Sequence, residues 1–473
     1  MEAVREAIPQ AAGDPMRPVY HFRPPARWMN GSDGLVFHCG YYHLFYQLNP
    51  CGDQWGVNHT VWGHTRSRNL VHWEHLPVAI PTPPGLARIN SGCVVIDEAG
   101  RPLALFPAVF ADERPREIWA ATSDDDMVEW HFHSANPIMT FETHGGPRYE
   151  KWDQPFIFRE GGRTFMILSS CYLGDSYVVP LYETDDPQML RWDYRGILYE
   201  IPLGSDTPYL ESPMIMKDGQ RWALIGTPVG GGACRYYSGN LDLTTLRFEA
   251  HQEGILIHGA GPREQMPGGG TDRGLIPGSV YHDHQDRHIM LGWQSAFGAG
   301  RGWYGCTCLP RILSIGADGR PRQTPAPELQ VLRGKHACVK ERMLESGSQV
   351  LPEASGDVME ILAEFEPRGA GEFGLKVRRS PDGSRAILIC CNGRSLEVAG
   401  TKMPLELDAG DTLRLHVFLD KSVLEVFVND GWPCVTRVIN AQPADLGLEW
   451  FAGGGEALLR SIDVWQMDRI WDD

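Results

Sequence analysis

The decapeptide Thr65-Arg66-Ser67-Arg68-Asn69-Leu70-Val71-His72-Trp73-Glu74 returns along the chain in altered form. Around Trp130 it reads Thr-Ser-Asp-Asp-Asp-Met-Val-Glu-Trp-His, and around Trp192 it reads Thr-Asp-Asp-Pro-Gln-Met-Leu-Arg-Trp-Asp. A weaker copy, Leu-Asp-Leu-Thr-Thr-Leu-Arg-Phe-Glu, surrounds Phe248. Each is a polar turn, then an apolar residue, then an aromatic two or three positions on. The aromatics at 73, 130, 192 and 248 stand 57, 62 and 56 residues apart. Short alternating or apolar runs precede the copies, such as Tyr42–Tyr46 and Thr60–His64, or Thr164–Ser169 and Val178–Glu183. Short β-rich runs between Gly, Pro and Asp turns, repeating at this period, predict propeller blades of about four strands each. Residues 18–325 have room for five, so this region is expected to be a five-bladed β-propeller.

Beyond it the pattern changes. Pro-rich Thr324–Pro327 marks a linker, placed at residues 326–336. From about 337 to 473 the runs alternate with period two, as in Leu413–Phe418 and Val423–Val428, the latter ending in Asn429-Asp430-Gly431. Asp-Gly between alternating runs signals a hairpin, and this half reads as a β-sandwich. The fold class is therefore all-β, a propeller followed by a sandwich.

Charge and composition narrow the function. The 473 residues carry 43 Lys and Arg against 60 Asp and Glu, a net charge of −17. Without a basic run, a phosphate backbone has nothing to bind to, which excludes a nucleic-acid partner. No stretch approaches the ~20 apolar residues of a membrane helix, and the first residues lack the apolar core of a signal peptide. The eleven cysteines form no Cys-x-x-Cys pair, so no zinc site or disulfide framework is expected and reduced thiols in the cytoplasm are. His282-x-His284 and His131-x-His133 read as exposed strand histidines, for want of a third ligand. Gly230–Gly232 and Gly268–Gly270 lack the Lys and helix of a phosphate loop and read as flexible pocket rims. No metal and no cofactor is expected. Self-association into a homo-oligomer is left open.

Three carboxylates lie in aromatic- and turn-rich segments near the starts of blades: Asp33, Asp153 and Glu211, 120 and then 58 residues apart. That spacing puts them on three blades around one channel. Carboxylates flanked by Trp suit cleavage of a sugar acetal. One acid protonates the leaving oxygen, a second carboxylate attacks or activates water, and indoles pack on the sugar. The expected partner is a small carbohydrate.

Further motifs are His-Phe-x-Pro-Pro-x-x-Trp-Met-Asn, Tyr42-His43-Leu44-Phe45-Tyr46-Gln47-Leu48-Asn49-Pro50, Asn69-Leu70-Val71-His72-Trp73-Glu74, Glu211-Ser212-Pro213, Leu309-Pro310-Arg311 and Glu425-Val426-Phe427-Val428-Asn429-Asp430-Gly431. Together they resemble glycoside hydrolase family 32, the family of invertases, inulinases, levanases and fructosyltransferases. The resemblance covers nearly the whole chain and implies the same propeller and sandwich. It implies Glu211 as acid/base and sugar contacts from Trp28, Asn30, Gln47, Trp55, Asn90, Ser91, Gln154, Asp272 and Trp293.

The departures are specific. Where the family has Trp-Met-Asn-Asp-Pro-Asn-Gly with the Asp as nucleophile, this chain reads Trp28-Met29-Asn30-Gly31-Ser32-Asp33-Gly34. The family's Arg-Asp-Pro becomes Asp153-Gln154-Pro155. Neutral loss would scatter, whereas here an Asp stands within two positions at both altered motifs and Glu211 persists. The expectation is an active enzyme on a small fructofuranoside or related furanoside, an oligosaccharide or difructose compound, with catalytic Glu211, Asp33 and Asp153. A fructosyl-transferring or cyclising transferase and a non-catalytic carbohydrate-binding protein are the alternatives. A two-residue shift along a strand is ~6–7 Å, so Asp33 needs a local bulge to serve the same site.

Overall fold

The computed structural model describes residues 1–471 except 56–59, 125, 173–176, 202–209, 229–232, 260–263, 266–270, 273 and 409; the side chains at 150, 151, 171, 172, 264, 265, 271 and 272 also lie outside the description. The Gly230–Gly232 and Gly268–Gly270 runs and the Asp272 side chain fall there.

The recurring decapeptide is a hairpin. In the first four sheets it joins the third strand to the fourth: Val61–Ser67 to Trp73–Ile80, Glu117–Ser123 to Trp130–Phe132, Tyr177–Thr184 to Asp193–Glu200, and Cys234–Asp242 to Arg247–Ile257. Its apolar residue adopts a left-handed conformation every time, with φ 61° at Leu70, 58° at Met127, 54° at Met189 and 57° at Leu246. Non-glycine residues rarely sit there, so the turn must be held from outside. The polar residues hold it. Asn69 Oδ1 accepts from the His72 amide (2.9 Å), Asp126 from Val128 (3.1 Å), Asp186 from Gln188 (3.1 Å) and Asp242 from Thr244 (2.7 Å). The Trp130 and Trp192 indoles then donate back to the Met127 and Met189 carbonyls, at 2.7 and 2.8 Å. Turn chemistry and aromatic recur together because one geometry uses both.

Among the described residues, five sheets of four or five strands follow in chain order between residues 27 and 325, beside a two-stranded pair of Glu264–Gln265 with Thr271–Asp272. The last runs through Leu275–His282, His288–Gln294, Arg311–Ile315 and Pro321–Pro325. Their inner strands touch in a cycle. Arg27–His38 meets Cys93–Ile96, which meets Tyr149–Glu160, then Leu210–Asp218, then Leu275–His282, and this last returns to Arg27–His38. The cycle encloses a channel, and apolar clusters fill the wedges between neighbouring sheets.

A short helical turn, Pro327–Leu332, leads directly into the strand Arg333–Leu344. Two six-stranded sheets follow, one containing Val358–Glu366, Leu413–Asp420 and Val423–Val428, the other Glu372–Arg379 and Gly447–Gly453. They face one another across a single core that includes Phe365, Phe373, Val417, Val426 and Trp450. The first residues carry an element that the sequence reading left out. Helix Glu2–Ala12 buries Val4, Ala7 and Ala11 in a cluster with Phe297, Trp303 and Val438. Among the described residues no helix is long and apolar enough to cross a membrane.

Buried charge ties the two β regions together. Asp420 accepts the amides of Val19, Tyr20 and His21 at 2.8, 2.9 and 3.0 Å, and the His21 ring at 2.8 Å. The other ring nitrogen of His21 lies 3.2 Å from Glu425, which also accepts from the Leu309 amide (3.0 Å) and Arg311 (2.9 Å). All four side chains are fully buried. Burial alone would lower the His21 pKa, but the hydrogen bonds to Asp420 and Glu425 outweigh it and raise it to about 9. Burial likewise opposes ionisation of Glu425, and Arg311 and His21 overcome it to hold its pKa below the usual value.

Candidate active site

The channel widens into a cavity of about 560 Å³ lined by all five inner strands, within the usual range for a small-ligand site. Asp33, Ser91, Gln154, Ser212 and Gly278 line it where those strands begin, and Glu160, Lys217 and His282 where they end. The strand starts share a device. Ladder register slips between Asn30 and Asp33, between Asp153 and Phe156, between Glu211 and Met214, and between Pro277 and Ser279. In three of these the residue entering the bulge has positive φ: Gly31 at 68°, Gln154 at 52° and Ser212 at 52°. Such bulges re-aim side chains out of the pleat.

The bulges also fix equivalence between sheets. Asn30, Asp153 and Glu211 each stand just before the slip. Gly31, Gln154 and Ser212 stand in it, and Asp33 follows it. The three candidate carboxylates therefore lie on three sheets, as expected, but not at one register. Asp33 pairs with Phe45 beyond the bulge, at the position that Phe156 and Met214 hold elsewhere.

Hydrogen bonds between neighbouring sheets form a belt at this level. The Ser91 hydroxyl donates to Asp33. Asn90 Nδ2 donates to Asp153 Oδ1 at 2.8 Å, and the Ser212 amide donates to Gln154 Oε1 at 2.6 Å. Ser279 extends the belt from the fifth sheet onto the Ser32 carbonyl. Asn30 is spent locally: its Oδ1 takes the Gly31 amide (2.6 Å) and its Nδ2 donates to Gln47 (3.1 Å), which donates to the Ile89 carbonyl (2.9 Å).

The carboxylates differ in environment. Asp153 is ion-paired with Arg116 and hydrogen-bonded by Asn90, so both oxygens are engaged. Arg88 holds Asn90 Oδ1 at 3.0 Å and lies 5.3 Å over the Trp55 ring. Burial and the nearby Arg116 lower the Arg88 pKa. Asp33 is 2 % exposed, and its Oδ2 has no hydrogen-bond partner among the described residues. Burial pushes its pKa well above the usual carboxylate range, and the Ser91 hydrogen bond only partly opposes this. Glu211 is half-buried, opposite Thr227 in its ladder.

The tryptophans divide. Trp55 is 58 % exposed, whereas Trp28 and Trp293 are buried with ring centroids 6.3 Å apart. Arg88 and Arg116 were not anticipated, since neither sits in a motif quoted above; an Arg missing from 153 was the one clue that another must neutralise an acid there. Of the histidines, His282 pairs with Asp286 (2.7 Å) and His284 stacks on Phe37 (4.1 Å). Among the described residues no group of three or more His, Cys, Asp or Glu could hold a metal ion.

Family models match both halves of the chain: glycosyl hydrolases family 32 N-terminal domain over residues 21–325, and glycosyl hydrolases family 32 C terminal over residues 328–466. The chain belongs to glycosyl hydrolase family 32. A levanase of Bacillus subtilis (strain 168) is 29% identical over 96% of this chain and 71% of its own length. A sucrose-6-phosphate hydrolase of Escherichia coli is 26% identical over 96% of each. Among solved structures, fructan 1-exohydrolase IIa from Cichorium intybus superposes with TM-score 0.82 at 20% identity, over 96% of this chain and 98% of that one. Sucrose-6-phosphate hydrolase from Lactobacillus gasseri superposes with TM-score 0.81 at 21% identity, over 99% and 97%. The fold is thus the propeller and β-sandwich of this family, and the chain is a glycosidase.

Proposed function

We propose that this family 32 enzyme hydrolyses a small fructofuranoside or related furanoside, an oligosaccharide or difructose compound, at the belt end of the channel. The five sheets are read as five propeller blades spanning residues 18–325, with residues 337–473 as the sandwich behind them. Glu211 protonates the leaving oxygen, and a second carboxylate at the same end attacks the anomeric carbon or deprotonates a water. The observation that carries this is the meeting of Asp33, Gln154 and Ser212, which follows Glu211, on one cavity inside a family 32 fold. Relatives named for levan and sucrose 6-phosphate support a fructoside as substrate. Asp153, with its charge held by Arg116, suits orientation of sugar hydroxyls. The cytoplasm, where eleven cysteines stay reduced, is the proposed location.

Ordinary sucrose and inulin should be poor substrates. Gly31 and Gln154 both replace a family carboxylate, and each sugar hydroxyl left buried without its partner costs about 1–3 kcal/mol. The test is release of free monosaccharide from sucrose, sucrose 6-phosphate, raffinose, 1-kestose, inulin and difructose anhydrides. Turnover confined to one small fructoside supports the reading. Efficient sucrose hydrolysis would show the substitutions harmless, and binding without any turnover would reduce the protein to a carbohydrate-binding module.

A further inference from the structure

Gly31 and Asp33 share one space. A Cβ added at Gly31 would lie 2.7 Å from Asp33 Oδ2, 3.0 Å from Oδ1 and 3.1 Å from the carboxyl carbon. Any side chain at 31 would have to push this carboxylate aside, and Gly31 also sits at φ 68°, a conformation that favours glycine. The Asp33 side chain has folded back across the bulge until its carboxylate lies against the place where a side chain at 31 would begin. It is 2 % exposed, it lines the cavity, and Oδ2 is without a hydrogen-bond partner among the described residues. A buried carboxylate oxygen with no partner is costly to keep, and a binding cavity is the place where a ligand supplies the missing contact. Asp153, the other candidate, has both oxygens engaged.

We infer that Asp33 is the second catalytic carboxylate, delivered from two positions downstream into the space opened by the glycine at 31, so that Gly31 and Asp33 work as one exchanged pair. This rests on the fructoside-hydrolase reading above. The bulge removes the distance objection, since the carboxyl carbon lies about two bond lengths from where the Cβ at 31 would be. Gly31 itself is a positioning residue: it touches no substrate, and its role is to leave Asp33 room. The Ser91 hydroxyl donates to the same carboxylate.

The experiment uses the full chain and whichever fructoside the wild type hydrolyses. Asp33→Ala should lose at least ~100-fold in turnover while substrate affinity stays near normal. Sodium formate, a carboxylate free to enter the emptied space, should then raise Asp33→Ala turnover about tenfold, short of full recovery because it is not held in place. Formate should leave the wild type unchanged. Gly31→Ala, which pushes the carboxylate aside, should fall with Asp33→Ala, and adding Gly31→Ala to Asp33→Ala should cost little more. Far-UV circular dichroism and the unfolding temperature establish that each variant is folded. Near-normal turnover in Asp33→Ala, or a loss that formate does not recover in a folded protein, would overturn the assignment of Asp33 alone. A wild type that turns over no fructoside would overturn the fructoside-hydrolase reading and this inference with it.

Discussion

Two of the buried charged groups in this molecule are built on opposite principles. Between the propeller and the sandwich, His21, Asp420 and Glu425 satisfy one another and three backbone amides of the N-terminal segment, and Arg311 pairs with Glu425 although its Nε has no partner among the described residues. At the channel mouth, Asp33 is as deeply buried, yet one oxygen has no partner among the described residues. A buried ion that is fully paired serves the fold, because removing either partner strands the other. A buried carboxylate left half-satisfied weakens the fold, and such groups cluster at functional sites. On the proposal made for Asp33, the difference separates a structural pin from a working group, though both read as charged residues in apolar surroundings.

The largest effect should come from breaking the paired cluster. His21→Ala leaves Asp420 and Glu425 buried without the imidazolium and should cost about 3–5 kcal/mol. Chemical unfolding should show it, together with earlier proteolysis between the two β regions. The cluster also sets a pH window. With a folded pKa of about 9 against an ordinary 6.5, His21 contributes stability that is complete below the ordinary value and lost as pH rises through about 9. The Glu425 pKa is held below its ordinary 4.5, so its contribution is complete above that value and lost as the solution becomes more acid. Stability from this cluster should therefore peak in weakly acid solution. A His21→Ala variant whose unfolding follows the same alkaline limb as the wild type would show that the limb has another source.

Next in size is the acid. Glu211→Gln should lose at least ~100-fold in turnover, about 2.7 kcal/mol of transition-state stabilisation, with binding retained. A substrate whose leaving group departs without protonation should recover most of the loss. Near-normal turnover on an ordinary sugar leaving group would remove Glu211 from the acid role, and then a buried carboxylate at the mouth would need another explanation.

The parts of this comparison were unequally visible in the sequence. The repeat was legible because its turn chemistry is local: a polar cap, a left-handed apolar residue and an indole lie within ten residues. Glu211 was legible because its motif is unchanged. The Asp33 position was only half legible. The two-residue shift called for a bulge, but the fold-back of the carboxylate onto Gly31 depends on two register slips in one strand, which spacing does not encode. Arg116 reaches Asp153 from 37 residues away, and His21 reaches Asp420 across 399. Pairings of that range are set by the closed ring and the docked sandwich, and no window of sequence contains them. The N-terminal helix was missed for a plainer reason: three small or short apolar residues, Val4, Ala7 and Ala11, bury its face, and Pro9 interrupts the pattern.

The smallest effect discriminates best, because its sign differs between the two clusters. Burial raises the pKa of Asp33 in the folded protein, so its ionised form is the destabilised one. Its contribution to stability is most favourable in acid, where it is protonated in both folded and unfolded states, and falls as pH rises through the folded value. Asp33→Asn keeps the shape and removes the charge. At neutral pH it should stabilise the protein by about 1 kcal/mol, the lower end of the cost of burying a polar group without its full complement of partners. The gain should shrink in acid, where the wild-type side chain is itself neutral. Scanning calorimetry of both proteins at neutral and acid pH measures this directly. A more stable, inactive Asp33→Asn beside a less stable His21→Ala would be the stability–function trade expected when one buried charge serves a ligand and the other serves the fold. An Asp33→Asn that unfolds earlier at neutral pH would mean that this carboxylate is bound into the structure as Asp420 is, and that the two clusters are of one kind.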